Sequence, residues 1–129
     1  MNPDLNTQEQ TVIEAGHTQL SGPEMAQIIV GKTVWGDYGA AFKFVSVIRE
    51  DGSMEGTNNF GSHNLGRFSI GDDNTFSVQW NAGWDTTTTR AYAVDGQVKF
   101  FDCDTGQWRN TFTRIVDGIQ MPLGVPASE

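Results

Sequence analysis

The chain has 129 residues, 8 basic and 16 acidic side chains for a net charge of −8, and a single cysteine, Cys103. That length supports one domain with one core, and the negative balance repels phosphate backbones, so nucleic acid is not an expected partner. An internal disulfide is excluded, and no apolar stretch reaches the ~18 residues of a membrane span, so no membrane partner is expected either.

Residues 1–19, "MNPDLNTQEQTVIEAGHTQ", are polar and aperiodic and read as a flexible leader. They lack the basic start and apolar centre of a signal peptide. The cytoplasm is therefore the default location, with a periplasmic or secreted one if a signal has been removed. Ser21 and Glu24 then have the S-x-x-E spacing of a capping box, Pro23 suits a first helical turn, and Met25, Ile28 and Ile29 fall on one face. A short helix is predicted over 22–30, ended by Gly31, and a helix so short needs an apolar surface to cover.

After Gly31 the period of apolar residues changes to two. Eight strands are predicted at 32–36, 41–50, 53–60, 66–70, 75–81, 86–94, 97–102 and 107–116. The clearest is "TFSVQWN", with Phe76, Val78 and Trp80 on one face. The seven intervening turns, "GDYGA", "DG" at 51–52, "GSHNLG", "GDDN", "NAGWD", "DG" at 95–96 and "CDTG", each contain glycine. The Asp-Gly pairs suit tight hairpins in which both central residues have positive φ. A strand every ~8–12 residues with no intervening helix points to an antiparallel sandwich or barrel. Closure removes the two long edges that an open sheet would leave. The expected fold is all-β: an eight-stranded antiparallel up-and-down barrel over 20–117, its short N-terminal helix closing one end, with a tail at 118–129.

These segments resemble the calycins, and among them the avidin and streptavidin barrels. The first strand carries a tryptophan, as in "GKTVWG"; the second hairpin is similar to "FVSVIREDGSMEGT"; the last strand is similar to "NTFTRIV". The likeness spans about residues 32–116. It implies that Trp35 packs beneath Arg114, that Trp80 is a wall tryptophan, that Thr86 and Thr88 stand for a ligand-binding hydroxyl pair, and that Asn110 takes the place of an aspartate before the closing "TFT". The biotin set is not retained, because Asn58 replaces a tyrosine, Arg90 a tryptophan, and Asp37 and the 40–41 region an Asn and a Ser. The lipocalin pattern is also interrupted: Thr33 replaces its glycine, and no long C-terminal helix follows.

By alternation, Asn58, Thr86, Thr88, Arg90, Tyr92, Asp102, Asn110 and Arg114 point inward with the apolar faces. Aromatic walls with a few convergent polar groups suit a ligand pocket, and Trp80 and Trp108 could stack on a flat ligand. A buried arginine needs a partner, so Arg90 or Arg114 is expected to pair with Asp102. The alternative is that these polar groups lie near the barrel ends and reach water. Trp84 in "NAGWD" belongs at the mouth or at an oligomer contact. His63 reads as a solvated loop residue. Two histidines and one cysteine give no zinc spacing, "DCDTG" lacks most of a calcium loop, and no phosphate-loop, dinucleotide or nucleophile-elbow motif is present, so no metal or cofactor is expected.

Three functions follow. The first is a binding module holding a small apolar or aromatic molecule. The second is a small barrel enzyme of isomerase or cyclase type, working with Asp102, Tyr92 or Arg90. The third is a structural homo-oligomer with a filled core, meeting its partner through the apolar outer face at Val45 and Val47.

Overall fold

The computed structural model describes residues 7–39, 42–81, 83–84, 86–121 and 123. The beginning of the expected leader (1–6), the later tail (122 and 124–129), the first residue of the strand expected from 41, and turn residues 40, 82 and 85 lie outside the described residues.

The period-two segments form β1 (Lys32–Gly39), β2 (Phe42–Ile48), β3 (Ser53–Asn58), β4 (His63–Ile70), β5 (Thr75–Trp80), β6 (Thr87–Val94), β7 (Gln97–Asp102) and β8 (Trp108–Asp117). Each strand pairs antiparallel with the next and β8 pairs with β1, closing an up-and-down barrel. Two strands are each three residues longer than the sequence reading: β1 runs on to Gly39 rather than ending at 36, and β4 begins at His63 rather than at 66. Its inward positions there are Asn64 and Gly66, which carry no apolar signal, yet Asn64 pairs with Gly56 and Gly66 with Met54. The two Asp-Gly hairpins also differ. Asp95 and Gly96 both have positive φ, at 54° and 83°, whereas at 51–52 only Gly52 does, at 91°. There the turn is held instead by Asp51, whose Oδ1 accepts from the Ser53 backbone N–H at 2.9 Å.

The seam between β1 and β8 contains a bulge: Trp35 lies opposite Arg114, but Gly36 lies opposite Phe112. A Cβ at Gly36 would collide with the Thr111 carbonyl oxygen, so only glycine lets the strands close here. On the outer face of the seam the Arg114 guanidinium sits 4.6 Å from the centre of the Trp35 ring.

The helix α2 (Gly22–Ile29) has the full capping box. Ser21 Oγ accepts from Glu24 N at 3.2 Å, and Glu24 Oε1 accepts from Ser21 N at 2.8 Å. Asn74, at the β4–β5 turn, fixes the start of α2 by accepting from Gly22 N at 2.8 Å. Met25 and Ile29 are fully buried in one cluster with Val34, Ile48 and Phe100, so α2 plugs one end of the barrel. Ser21→Ala should cost about 1 kcal/mol, the worth of an N-cap, measurable as a lower urea midpoint with unchanged slope.

Within the span expected to be a flexible leader, residues 7–19 carry a helix and a bridge to the barrel. Helix α1 (Gln8–Glu14) is capped by Thr7, whose Oγ1 accepts from Gln10 N at 3.0 Å. It lies on the outer wall of the barrel, where Val12 packs against the cluster of Tyr92, Val94 and Phe101. The chain then bridges β6 through Gln19 and Tyr92, and Leu20 N donates to Ala91 O at 2.8 Å. α1 has too few apolar residues to be recognised by period; tertiary contacts hold it.

Candidate functional site

An up-and-down barrel gathers alternate hairpins at each end. The hairpins at 49–52, 71–74 and 95–96 lie at the end plugged by α2. The described parts of the connections at 59–62, 81, 83–84, 86 and 103–107, with Tyr38 and Phe42, surround the other end, which is open. Inside this open half lies a cavity of about 490 Å³. Its floor and walls are Met54, Phe76, Val78 and Phe112, with Phe44 and Trp80 above them. The lower half is solid, filled by Val34, Ile48, Phe100 and the apolar side of α2.

Two glycines shape the wall. Trp80 and Trp84 meet edge to face with centroids 4.7 Å apart. A Cβ on Gly66 would lie 2.8 Å from Trp80 Cε3, and one on Gly56 would lie 3.0 Å from Trp80 Cη2 and 3.4 Å from Trp84 Cζ3. The small residues on β3 and β4 therefore make room for the indoles. From the floor, aromatic rings continue outward: Phe112 to Phe44 at 5.9 Å, Phe44 to Tyr38 at 6.1 Å, Tyr38 stacked on Phe42 at 5.3 Å, and Phe42 to Phe60 at 5.4 Å. Phe60, at 63 % exposure, ends this ladder in solvent.

Of the residues expected at a site, Asn58, Trp80, Trp108 and Asn110 border the cavity. Asn58 also shapes the rim, its Oδ1 accepting from Phe60 N and Ser62 N, each at 3.0 Å. Trp108 stands at the border only: its indole packs on the outer cluster, and Nε1 donates to Thr111 Oγ1 at 2.8 Å. Asn110 lines the mouth, and its side chain makes no hydrogen bond to a described residue.

The β6 residues are placed differently, because its register is displaced by one from the expected alternation. Phe76 opposes Thr89 and Val78 opposes Thr87, so Thr87, Thr89 and Ala91 face inward. Thr88 faces outward, its hydroxyl 3.1 Å from that of Ser77, and Thr86 is exposed ahead of the strand. Arg90 and Tyr92 also face outward, where they hold Glu9 of α1. Arg90 Nε and Nη2 donate to the two Glu9 oxygens at 2.6 and 2.8 Å, and Tyr92 Oη donates to Oε2 at 2.6 Å. Burial alone would raise the Glu9 pKa, but the hydrogen bonds from Arg90 and Tyr92 and the Arg90 charge outweigh it and hold the carboxyl below its ordinary range. Burial and the bond to Glu9 push Tyr92 upward, so it remains a protonated donor. The expected pairing of Asp102 with an arginine does not form. Asp102 Oδ1 accepts instead from Asp104 N at 2.8 Å and Thr105 N at 3.2 Å in the β7–β8 turn, while Arg114 lies outside over Trp35.

Elsewhere, His63 is oriented after all: its Nε2 lies 2.6 Å from Glu55 Oε2 on the outer surface, and Arg49 binds the other Glu55 oxygen at 3.2 Å. The hydrogen bond with His63 is the main reason the Glu55 carboxyl is depressed. Cys103 has a raised thiol pKa, chiefly through burial, which Arg90 partly opposes. Val45 and Val47, whose outer face was expected to meet a partner, are only 2 % and 0 % exposed within the single chain. Among the described residues, no three of His, Cys, Asp and Glu cluster as metal ligands, and no helix is long and apolar enough to cross a membrane.

Sequence reasoning missed Thr87 and Arg109 in the lining and Glu9 outside it. Phe44 was legible, since Phe44, Ser46 and Ile48 alternate along β2. Fold and cavity together define a closed eight-stranded barrel with one open, aromatic end, compatible with a calycin-like fold. No protein-family profile matches the chain, and no curated protein or solved structure is significantly similar to it.

Proposed function

We propose that this protein binds a small apolar or aromatic molecule in the open half of its barrel. The observation that carries this reading is the cavity itself, walled by aromatic and aliphatic side chains, with the Asn110 and Thr87 side chains at its mouth lacking hydrogen bonds to described residues. Rings offer a ligand contact area, and a few polar tips orient it. The exposed ladder of Tyr38, Phe42 and Phe60 extends the same wall beyond the mouth and suits a ligand longer than the cavity is deep. Biotin is not the ligand proposed, given the replaced residues.

The enzyme reading has less support. Arg90 and Tyr92 are engaged with Glu9 outside the barrel, and Asp102 holds a turn. Among the described lining residues there is no carboxylate, histidine or cysteine to move a proton.

The test uses N-phenyl-1-naphthylamine, a neutral apolar dye that brightens out of water. The wild-type protein should bind it saturably and quench tryptophan emission. Thr87→Phe fills the mouth from a half-buried wall position and should weaken binding by about tenfold or more while keeping the native circular dichroism. Unsaturable dye uptake, or binding untouched by Thr87→Phe, would reject the interior site.

A further inference from the structure

Among the described residues, Trp108 alone borders both the interior cavity and a groove of about 510 Å³ on the outer wall, which α1 forms with β1, β7 and β8. The rim of the cavity and the seat of α1 therefore meet at one residue. β8 enters the barrel there through a bulge: Phe101 pairs with Trp108, but Phe100 pairs with Asn110, and a bulge interrupts the strand ladder. At this point α1 supplies bonds of its own. Gln8 Oε1 accepts from Trp108 N at 2.6 Å, and Gly106 O accepts from Glu9 N at 2.9 Å. Gly106 has a φ of 73°, and a Cβ on it would lie 3.0 Å from Thr7 Cβ, so the turn rests directly against the start of α1. Arg90, clamped on Glu9, also donates from Nη2 to Cys103 O at 3.2 Å. All these contacts fall on residues 103–108, the β7–β8 connection and the first residue of β8, at the open end.

We propose that α1 regulates the ligand site from outside the barrel. Docked, Gln8 and Glu9 act as positioning residues that hold 103–108 and keep Trp108 at the cavity border; undocked, they release it and the ligand leaves faster. This rests on the interior binding site proposed above and names its control. A helix of seven residues has no stability of its own, so α1 comes off the wall as a unit. Its apolar hold is small, Val12 on the cluster of Tyr92, Val94 and Phe101, so the bonds of Glu9 to Arg90 and Tyr92 set how often it leaves. If undocking weakens the ligand by some factor, the ligand favours docking by that same factor.

The experiment uses N-phenyl-1-naphthylamine and has two arms. In the first, stopped-flow displacement gives its dissociation rate. Glu9→Gln should raise that rate by about tenfold and Gln8→Ala by about threefold. Gln8→Glu keeps an acceptor for Trp108 N and should stay close to wild type. Ser21→Ala, a lost N-cap at the plugged end, should leave the rate within about 1.5-fold although it also lowers stability. The second arm needs no variant: saturating dye should slow amide exchange over residues 8–14 of the wild type by about the factor that Glu9→Gln costs in affinity. Exchange in α1 that is indifferent to bound dye, or a rise in dissociation rate that Ser21→Ala shares with Gln8→Ala, overturns the role of α1 and leaves the binding site standing. Failure of the dye to bind the wild type overturns the binding site itself.

Discussion

Glu9→Gln should lower the stability of the barrel by about 2–4 kcal/mol at neutral pH, a large effect for a residue in a seven-residue helix. Glu9 is 6 % exposed and takes three charge-assisted hydrogen bonds, two from Arg90 and one from Tyr92. Glutamine keeps the shape and can still accept from Tyr92, but it leaves the half-buried guanidinium without a counter-charge. The figure lies below that for a fully buried pair because the Arg90 side chain is 30 % exposed. The loss should be accompanied by release of α1, seen as faster amide exchange over 8–14 and at Tyr92. Because the folded pKa of Glu9 is depressed, its contribution is fully present above the unfolded carboxylate value of ~4.3 and disappears as pH falls through the lower folded value. Urea unfolding of wild type and variant should therefore differ most at neutral pH and converge in acid, below about pH 4. A constant gap at all pH values, or one under about 0.5 kcal/mol, would mean that the pair behaves as an exposed one.

Phe100→Ala should cost about 3–5 kcal/mol. Phe100 is 0 % exposed and lies between Phe112, with centroids 4.6 Å apart, and Phe76, at 5.3 Å. Those two rings form the floor of the cavity, so the substitution removes their support from below as well as its own buried area. Surrounding strands are hydrogen-bonded all round the barrel and cannot collapse to fill the space, which puts the expected cost at the upper part of the range. Thermal and urea midpoints should fall together with little change in the urea slope. A loss under about 1 kcal/mol would mean that the lower barrel is not close-packed as the rings indicate.

The barrel was legible in the chain because local signals agreed with each other. Glycine-bearing turns fall between period-two segments, and "TFSVQWN" forms β5 with Phe76, Val78 and Trp80 inward. The capping box at Ser21 and Glu24 is a signal contained in four residues, and α2 begins where it says. The site was legible only where alternation had contrast. The run "TTTT" at 86–89 leads into β6, and four identical residues carry no information about which pair faces in. The pairing of Thr87 with Val78 and Thr89 with Phe76 sets that strand, so Thr86, Thr88, Arg90 and Tyr92 lie outside the cavity.

What the sequence by itself determined is the class of architecture: an all-β chain of eight antiparallel strands with a capped helix ahead of them, since these follow from the spacing of apolar residues and turns along a few neighbouring positions. Tertiary structure alone decided which face of β6 turned inward, that Arg109 fell on a bulge, that the upper half of the barrel stayed hollow, and that α1 docked. Glu9 and Arg90 lie 81 residues apart, and the Gly66 position next to Trp80 is fixed across two strands. Such contacts form between segments, and the apolar period within either segment does not report them.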